Sequence, residues 1–478
     1  MTAPLIWIGL PAVMGFLLVG VRNRYPWSPA VGLATAAGLA LLGLFLPLDE
    51  VLPVGPFRLL IASGQIVLGR AFVIGPSLLR IIGASYGALT LWGLVALVLK
   101  SNRVFIPGSL LATALLCAGL AVQLWQFAGI FILLAVLVLV PVLSPAGSTR
   151  GGGVLKFVAF QAIGVPFLIA AGTLMEGFES IPPGLALTLR PGIFLGLSFV
   201  FLLAIFPFHG WIPALITDED PFLSSFILVL LPGFIGVLGL QLIDRYLFLR
   251  GSAEFFALAR AVGMLSVVAG SSLVLVQRQA GRVLGYAASI ETGMLLLAIG
   301  AGPGGGPRLL FPILAVRSAS FLLWSAGLAA LSKEGNSLHF SDLRGTLRSH
   351  PVSSAAVLVG VFSTAGFPLF AGFPVKLNLA AILAPLEPTA VFATWLGMAG
   401  MAIAGALTLA AMAAPAAGVA GPDDPPDPPP IADPVPRKRL LPILLATGCL
   451  LLLFFGLFPG WIEWLSATMS PAFANLMR

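Results

Sequence analysis

The sequence predicts an all-α polytopic membrane protein, and three observations support this fold class. Hydrophobic residues make up 59% of the 478 residues and charged residues only 9%, a composition typical of helical membrane proteins. Apolar runs of about 20 residues or more, the length that crosses a bilayer, recur along the chain. Lys and Arg lie mainly between these runs, so the net charge of +7 indicates basic loops rather than a nucleic-acid-binding surface.

Hydropathy divides the chain into about fourteen predicted transmembrane helices. The predicted spans are 3–21, 29–47, 76–99, 104–122, 124–143, 154–174, 190–210, 222–242, 255–276, 281–300, 308–331, 353–386, 389–416 and 439–461. The first span begins directly after Met1 without a basic leader, so we expect a retained helix rather than a cleaved signal peptide. Cys117 and Cys449 both lie in apolar spans and suggest neither a disulfide nor a metal site.

Three connections and the C-terminal tail have a predicted character of their own. Residues 54–74 are moderately apolar and rich in Gly, which favours a strand or hairpin outside the bilayer. Residues 333–350 carry both charge signs and a Gly-Asn turn, as in a solvated linker. Residues 421–436 are rich in Pro and Asp and predict an extended connector, whereas the last dozen residues are expected to form a short interfacial helix.

The basic residues predict the orientation of the chain. Connections after odd-numbered spans carry Arg22, Arg24, Lys100, Arg103, Arg150, Arg278, Arg282, Lys333, Arg344, Arg348, Arg437, Lys438 and Arg439, whereas those after even-numbered spans carry Arg58, Arg70, Arg245, Arg250 and Arg308. Because basic loops stay in the cytoplasm, we expect both termini outside it. The acidic run Asp218–Asp220 falls on the cytoplasmic side, but acidic residues weigh little in this rule.

The twelfth predicted span contains a lysine beside helix-breaking residues. Pro368 and Pro374 remove backbone donors in the middle of this apolar segment, so an unbroken helix is not expected. Lys376 follows directly and has apolar neighbours on both sides. An ammonium inside a bilayer costs about 3 kcal/mol or more, which indicates a functional group. The alternative is a lysine that extends to the membrane surface.

A second broken helix lies five spans earlier and predicts an internal repeat. Pro207 and Gly210 interrupt the seventh span. Two broken helices five spans apart suggest two five-helix units, which an odd number of helices makes inverted. The alternative is coincidence, since the chain has 39 prolines. The predicted domains are spans one to three with the hairpin (1–103), the first repeat (104–250), the second repeat (251–416), the Pro/Asp-rich linker (417–438) and the last span with its tail (439–478).

Three segments resemble a known family. "FPFHGWIPALITDEDPFLSSF" at 206–226, "QRQAGRVLGYAASIETGMLLLAIGAG" at 277–302 and "LRGTLRSHPVSSAAVLVGVFSTAGFPLFAGFPVK" at 343–376 resemble signatures of the proton-conducting antiporter-like subunits. These subunits occur in respiratory complex I, multisubunit cation/proton antiporters and energy-converting hydrogenases. The order and spacing of the segments fit the family across most of spans four to thirteen. The resemblance implies a fourteen-helix subunit with a chain of buried charges.

The residues that carry this chain in the family are only partly present. The family's Glu on span five aligns with Gln126, and its Lys on span seven aligns with Leu202. Its Lys on span eight falls near Pro232-Gly233, and its His and Lys on span eleven align with Ala315 and Ala319. Lys376 alone matches the expected position and chemistry. The resemblance therefore implies a degenerate relay whose first half cannot exchange protons.

Four further residues are candidates for the ion pathway. Glu291 is expected to relay protons on span ten, or else to pair with Arg317 or lie at the surface. Arg282 and Arg317 can hold water or bias a lysine, but an arginine stays protonated and cannot relay a proton. His209 lies in the first broken helix, where it either titrates or caps the break by hydrogen bonding.

The sequence therefore predicts an antiporter-like membrane subunit of a complex I-like or hydrogenase-like redox-driven assembly. No iron–sulfur, nucleotide or haem pattern is visible, so we expect no cofactor in this chain and redox chemistry in partner subunits. The expected partners are the other membrane subunits and the lipid bilayer, with no nucleic acid, in a bacterial inner membrane. The alternatives are a purely structural scaffold subunit, which the lost charges favour, and an autonomous secondary carrier, which the repeat alone suggests.

Overall fold

The computed structural model describes residues 1–54, 57–144, 151–333, 338–415 and 440–477. The predicted Pro/Asp-rich connector and the Gly-Asn turn of the 333–350 linker lie outside the described residues. In the described part the chain is a multi-pass helical membrane protein with ten helices long and apolar enough to cross a bilayer. These are α2 (Ser28–Phe45), α3 (Pro76–Leu99), α5 (Ala128–Leu143, after a 3₁₀ turn Trp125–Phe127), α6 (Gly152–Leu174), α9 (Pro221–Arg245), α11 (Ala253–Leu275), α12 (Ala280–Gly300), α13 (Gly305–Lys333), α17 (Pro388–Ala413) and α18 (Leu440–Leu457).

Shorter helices complete the described chain. The apolar ones are α1 (Leu10–Val21, after a π-helical stretch Leu5–Gly9), α4 (Phe105–Ala121), α7 (Leu189–Leu202, after a 3₁₀ turn Ala186–Thr188), α15 (Pro351–Ala365) and α16 (Gly372–Leu383). The remaining ones are α8 (Trp211–Asp218), α10 (Leu247–Arg250), α14 (Thr346–Ser349) and α19 (Trp461–Met469), which is followed by a 3₁₀ turn Ser470–Ala472.

Two β-hairpins lie between α2 and α3. Strand β1 (Val51–Val54) pairs with β2 (Phe57–Leu60), and β3 (Gly64–Val67) pairs with β4 (Arg70–Val73), both antiparallel. The β3–β4 turn consists of Leu68 and Gly69, whose φ angles of 50° and 73° fit a two-residue type I′ turn. The connection thus contains paired strands where the sequence predicts a strand or hairpin, and its position outside the bilayer stays a prediction.

Helix α12 lies at the centre of the bundle, and almost all of its residues are buried. It packs closely on α11 because two glycines face each other: a Cβ on Gly293 would lie 2.8 Å from the Gly263 carbonyl oxygen. Small residues of this kind let membrane helices approach through their backbones. Any polar side chain in the middle of α12 is therefore enclosed by protein.

Two sets of helices have the same neighbours. In the first set α4 packs on α5, α5 on α6, and α6 on both α7 and α8. In the second set α11 packs on α12, α12 on α13, and α13 on both α15 and α16. In each set the last helix packs against the first: α9 packs on α4, and α17 packs on α11. The broken pairs α7–α8 and α15–α16 occupy corresponding places.

Candidate functional site

The candidate site is built around the loop that separates α15 from α16. The φ angle of Gly366 is +70°, a left-handed conformation that glycine adopts at little cost. The Gly366 N–H donates to the Ser363 carbonyl over 3.0 Å and the Phe367 N–H donates to the Phe362 carbonyl over 2.9 Å, which is the Schellman ending of a helix. Pro368 lies in the loop, and Pro374 lies in the first turn of α16, where no intrahelical N–H is lost.

Close backbone approach holds the two helix ends together. A Cβ on Gly366 would lie 2.8 Å from Cδ of Lys376, and a Cβ on Gly372 would overlap the Ser363 carbonyl oxygen. The loop is also attached to α18, because the Ala371 N–H donates to the Leu452 carbonyl over 2.9 Å. Only glycine therefore fits at positions 366 and 372, close to the Lys376 side chain.

Lys376 and Glu291 form a buried ion pair at this break. The Lys376 Nζ lies 2.8 Å from the Glu291 Oε1, and the two side chains are 4% and 3% exposed. The same ammonium donates a hydrogen bond to the Thr364 carbonyl near the C-terminal end of α15. This helix end carries the negative end of a dipole, so it stabilises the ammonium together with the carboxylate. The lysine is enclosed by protein and does not extend to a surface.

Arg317 of α13 is a second buried cation close to this pair. Its side chain is 1% exposed. Its Nη1 donates to the Thr292 Oγ1 over 3.1 Å, and its Nη2 donates to the Leu228 carbonyl over 2.6 Å. Arg317 also interacts electrostatically with Glu291, the residue before Thr292 and the partner of Lys376. The ion-pair partner of Glu291 is thus Lys376, whereas Arg317 is bonded to neutral oxygens.

His209 and Arg282 lie farther from the pair. The His209 ring stacks on Phe206 with centroids 5.2 Å apart and lies 6.0 Å from the ring of Tyr286 on α12. The exposed Arg282 side chain donates through Nε to the Thr217 Oγ1 over 3.1 Å. Arg282 precedes Glu291 by nine residues on α12, which is about 13 Å at 1.5 Å per residue. These two residues lie between the N-terminal end of α12 and the ion pair rather than in contact with it.

Among the described residues of the first helix set, no buried ion pair lies at the corresponding break. Helix α7 ends at Leu202, and Pro207 lies in the irregular stretch before α8. The Leu202 carbonyl accepts a hydrogen bond of 3.2 Å from the buried Gln161 of α6. Gln126 packs closely on Gly172 of the same helix. An amide and an alkyl side chain cannot exchange protons, so neither Gln126 nor Leu202 offers a protonation site.

Several buried polar residues near the breaks were not singled out by the sequence. Gln161 donates a hydrogen bond to the free carbonyl at the end of α7, and the Thr292 hydroxyl accepts one from Arg317. The Ser320 hydroxyl donates to the Ser363 hydroxyl over 2.8 Å. The sequence pattern that could have identified them is a polar residue inside an otherwise apolar span, because such a residue usually faces the interior of the bundle. In the described part of the chain no group of three or more His, Cys, Asp and Glu side chains is placed to hold a metal ion.

Comparison with known proteins finds similarity to the predicted family. Residues 184–397 match the family model described as NADH:quinone oxidoreductase/Mrp antiporter, TM. The chain is 28% identical to NADH-quinone oxidoreductase subunit N 2 of Opitutus terrae over 210 residues, which is 42% of each chain. It is 26% identical to NADH-quinone oxidoreductase subunit N of Rhodopseudomonas palustris over 425 residues, which is 85% of each chain.

The first of these matches spans less than half the length of the relative, whereas the second covers most of both chains. The fold is also similar to a chain in the structure of the Mrp complex from Dietzia sp. DQ12-45-1b. That similarity has a TM-score of 0.80 at 15% identity and covers 99% of this chain and 97% of the other. The matched region 184–397 contains both broken helices and the ion pair. Residues 184–397 therefore match the antiporter-like family that the sequence motifs predict, and the chain is similar to a subunit N sequence over most of its length and to an Mrp-complex chain in its fold.

Proposed function

We propose that the chain is a membrane subunit of a complex I-like or hydrogenase-like ion-translocating assembly, and that Lys376 and Glu291 form its proton-handling station. The observation that carries this proposal is the buried ion pair at the break between α15 and α16, with 2.8 Å between the two charged atoms. Buried ionisable groups inside a membrane are costly and are found where ions or protons move.

The chemistry of the pair suits proton transfer. An ammonium and a carboxylate at hydrogen-bond distance can exchange one proton, which gives either a charged or a neutral pair. The Thr364 carbonyl stabilises the charged pair because it accepts a hydrogen bond from the ammonium. The cost of burying two charges favours the neutral pair. The balance can therefore shift when a nearby charge changes. Arg317 is a fixed cation beside Glu291 and favours the ionised carboxylate without itself carrying the proton.

A route from one membrane face to this station follows α12. Arg282 is exposed at the start of the helix, His209 packs beside Tyr286, and Glu291 lies five residues beyond Tyr286. In the proposal, Arg282 holds water at the entrance and His209 lines the path to the carboxylate. The matching route in the first repeat is closed because Gln126 and Leu202 stand where the resemblance implies ionisable groups.

The proposed architecture has fourteen transmembrane segments in which two inverted five-helix repeats hold the broken helices in spans seven and twelve. Ten long helices, the shorter α1, α4 and α7, and the broken pair α15–α16 taken as one span support this number. The corresponding packing order of the two helix sets supports the repeat. The proposed domain limits are 1–103, 104–250, 251–416, 417–438 and 439–478.

The excess of Lys and Arg after odd-numbered spans supports a bacterial inner-membrane location with both termini outside the cytoplasm. In this orientation Arg282 lies at the cytoplasmic face. A proton that enters past Arg282 would then reach Glu291 and Lys376 from the cytoplasm.

The test is proton translocation by the assembly that co-purifies with this chain, reconstituted in vesicles and supplied with its electron donor. The variants are Lys376→Met and Glu291→Gln, and the matched control is Lys156→Met, since Lys156 is exposed on α6. We expect both site variants to lower the number of protons moved per electron while the control leaves it unchanged. Unchanged translocation in both site variants would refute the proposal.

A second candidate is a structural subunit that joins neighbouring pumps without moving protons. The observation that favours it is the absence of ionisable groups at Gln126 and Leu202, since a relay confined to one repeat does not cross the membrane by itself. For a scaffold, Lys376→Met would change the stability or composition of the assembly and leave the proton stoichiometry of the intact complex unaltered.

A further inference from the structure

A large apolar cavity lies away from the ion pair. It has a volume of about 600 Å³ and is lined by α3, α9, α13 and α18, with Leu465 and Met469 of α19 at one end. Along α3 it extends from Ile81 to Val95, which is about 21 Å at 1.5 Å per residue. The cavity is open on one side, where Leu91 and Leu94 are 58% and 39% exposed.

The walls of this cavity exclude water and ions. Ser85, Ser318, Thr447 and the indole N–H of Trp92 supply the polar groups among the side chains of its described lining residues, and none of those residues is charged. Gly233, Ala315 and Ala319 also line it, and these are positions at or beside which the family resemblance implies ionisable groups. Small apolar residues at these positions leave room for a hydrocarbon. Because the lining is apolar and the cavity opens toward the bilayer, hydrocarbon fills it more favourably than water does.

Two arginines, Arg80 and Arg308, lie at the α19 end of the cavity. The Arg80 Nη1 donates to the Thr468 carbonyl over 2.9 Å, and the Ser466 hydroxyl donates to the Arg308 carbonyl over 2.7 Å. The side chain of Arg80 and the backbone of Arg308 are thus bonded to the same short helix, near Ile81 and Phe311 of the cavity wall, and the Arg308 side chain is exposed. Neither arginine forms an ion pair with a described acidic residue, Glu463 of α19 included.

Helix α19 has the features of an interfacial helix. Trp464 is 63% exposed on it, and tryptophan is enriched at the level of lipid headgroups. Helices α3 and α13 both begin near this end, so Arg80 and Arg308 lie within the first turn or two of two spans on one membrane face. The cavity therefore leads from a basic rim at the interface into an apolar interior.

We propose that this cavity binds an anionic phospholipid, with its phosphate at Arg80 and Arg308 and acyl chain in the apolar interior. A volume of about 600 Å³ holds on the order of 20 carbon atoms if each takes about the 30 Å³ that a liquid water molecule occupies. The depth of the cavity also suits an extended acyl chain. Arginine binds phosphate through several N–H groups at once, which favours a phosphate headgroup over an uncharged one. This site is independent of the proton-handling station.

The first test measures phospholipid retained after purification in mild detergent, by mass spectrometry of the intact chain with its co-purifying subunits. The variants are Arg80→Gln/Arg308→Gln, which removes the basic rim, and Ala315→Phe, which fills the cavity. The matched controls are Arg190→Gln and Ala34→Phe, because Arg190 and Ala34 are exposed elsewhere on the helices. We expect the wild type and both controls to retain one anionic phospholipid that both site variants lose. Equal retention in all proteins, or a quinone in place of the phospholipid, would overturn the proposal.

A second measurement remains informative if a variant folds poorly. Trp92 lines the cavity and is 1% exposed, so its fluorescence is shielded from the surrounding bilayer. We expect phosphatidylglycerol brominated on its acyl chains to quench the Trp92 contribution, taken as the difference between wild type and Trp92→Phe. Brominated phosphatidylcholine should quench it less. No quenching would show an empty or protein-filled cavity, and equal quenching by both lipids would refute the anionic headgroup.

Discussion

At the residue scale, the central feature of the structure is the ion pair between Lys376 and Glu291, which lie on different helices. The sequence was sufficient to single out both residues, because each is an ionisable group in an apolar span. It could not show that they are partners, since 85 positions separate them and three alternatives were open for Glu291. Their pairing depends on how α16 lies against α12, which is a property of packing rather than of either segment.

Removal of one partner should destabilise the protein more than removal of both. Glu291→Gln or Lys376→Met leaves a buried charge without its partner, which typically costs about 3–5 kcal/mol. The double variant removes both charges and should recover part of the loss. Thermal unfolding in detergent of the wild type, the single variants and the double variant measures the coupling energy. Strictly additive effects would contradict a direct ion pair.

A surface ion pair gives a prediction for pH. The hydrogen bond from Arg260 lowers the pKa of Glu387 from its ordinary value of 4.5. A lowered pKa means that the stabilisation is present above pH 4.5 and is lost as the pH falls through the lowered value. Glu387→Gln should therefore reduce the unfolding temperature slightly near neutral pH and have no effect in strong acid. A difference that grew on acidification would have the wrong sign.

At the scale of elements, helix breaks were predictable and their internal geometry was not. Pro207, Pro368 and Pro374 identified both broken spans because proline is incompatible with a helix interior. The sequence did not distinguish Pro368, which lies in the loop, from Pro374, which lies in the first turn of α16. It also gave no sign that Gln161 bonds the free carbonyl at the end of α7. Such contacts come from other helices and have no local pattern.

The two glycines at the α15–α16 break should resist substitution. Gly366→Ala places a Cβ at a φ of +70° and 2.8 Å from Cδ of Lys376, and the left-handed conformation alone costs about 1–2 kcal/mol. Gly372→Ala places a Cβ on the Ser363 carbonyl oxygen and should be worse, because a backbone atom cannot move aside. Both variants should lower the unfolding temperature in detergent, and Gly372→Ala should lower it more than Gly366→Ala.

The matched control for these variants is Gly38→Ala on α2. A Cβ at Gly38 meets no atom within 4 Å, and alanine favours a helix over glycine by about 1 kcal/mol. This change should be neutral or stabilising. If Gly372→Ala behaved like Gly38→Ala, the close approach of the two helix ends would be wrong.

At the scale of the whole molecule, class and family were accessible from composition and motifs. Apolar runs predicted a multi-pass membrane protein, and the segments at 206–226, 277–302 and 343–376 predicted the family. The apolar cavity could not be foreseen, because it results from four helices that leave a space between small residues such as Gly233 and Ala315. The sequence showed missing charges at these positions but not what replaces them.

The two halves of the molecule thus differ in character. The second helix set encloses a charged pair and a buried arginine, whereas in the first set Gln126 and Leu202 stand where the resemblance implies ionisable groups. We expect protons to be handled in the second half only, so that any transfer across the whole membrane needs a neighbouring subunit. If the neighbouring subunit is removed and this chain stays intact, we expect proton movement across the membrane to be lost.

The most direct measurement is infrared difference spectroscopy of the assembly before and during turnover, in wild type and Glu291→Gln. If the pair exchanges a proton, a carbonyl-stretch band of a protonated carboxylic acid appears on turnover in the wild type. That band is absent in Glu291→Gln and unchanged in Glu387→Gln, which removes an acid at the surface. A wild-type spectrum in which no band depends on Glu291 would contradict the account.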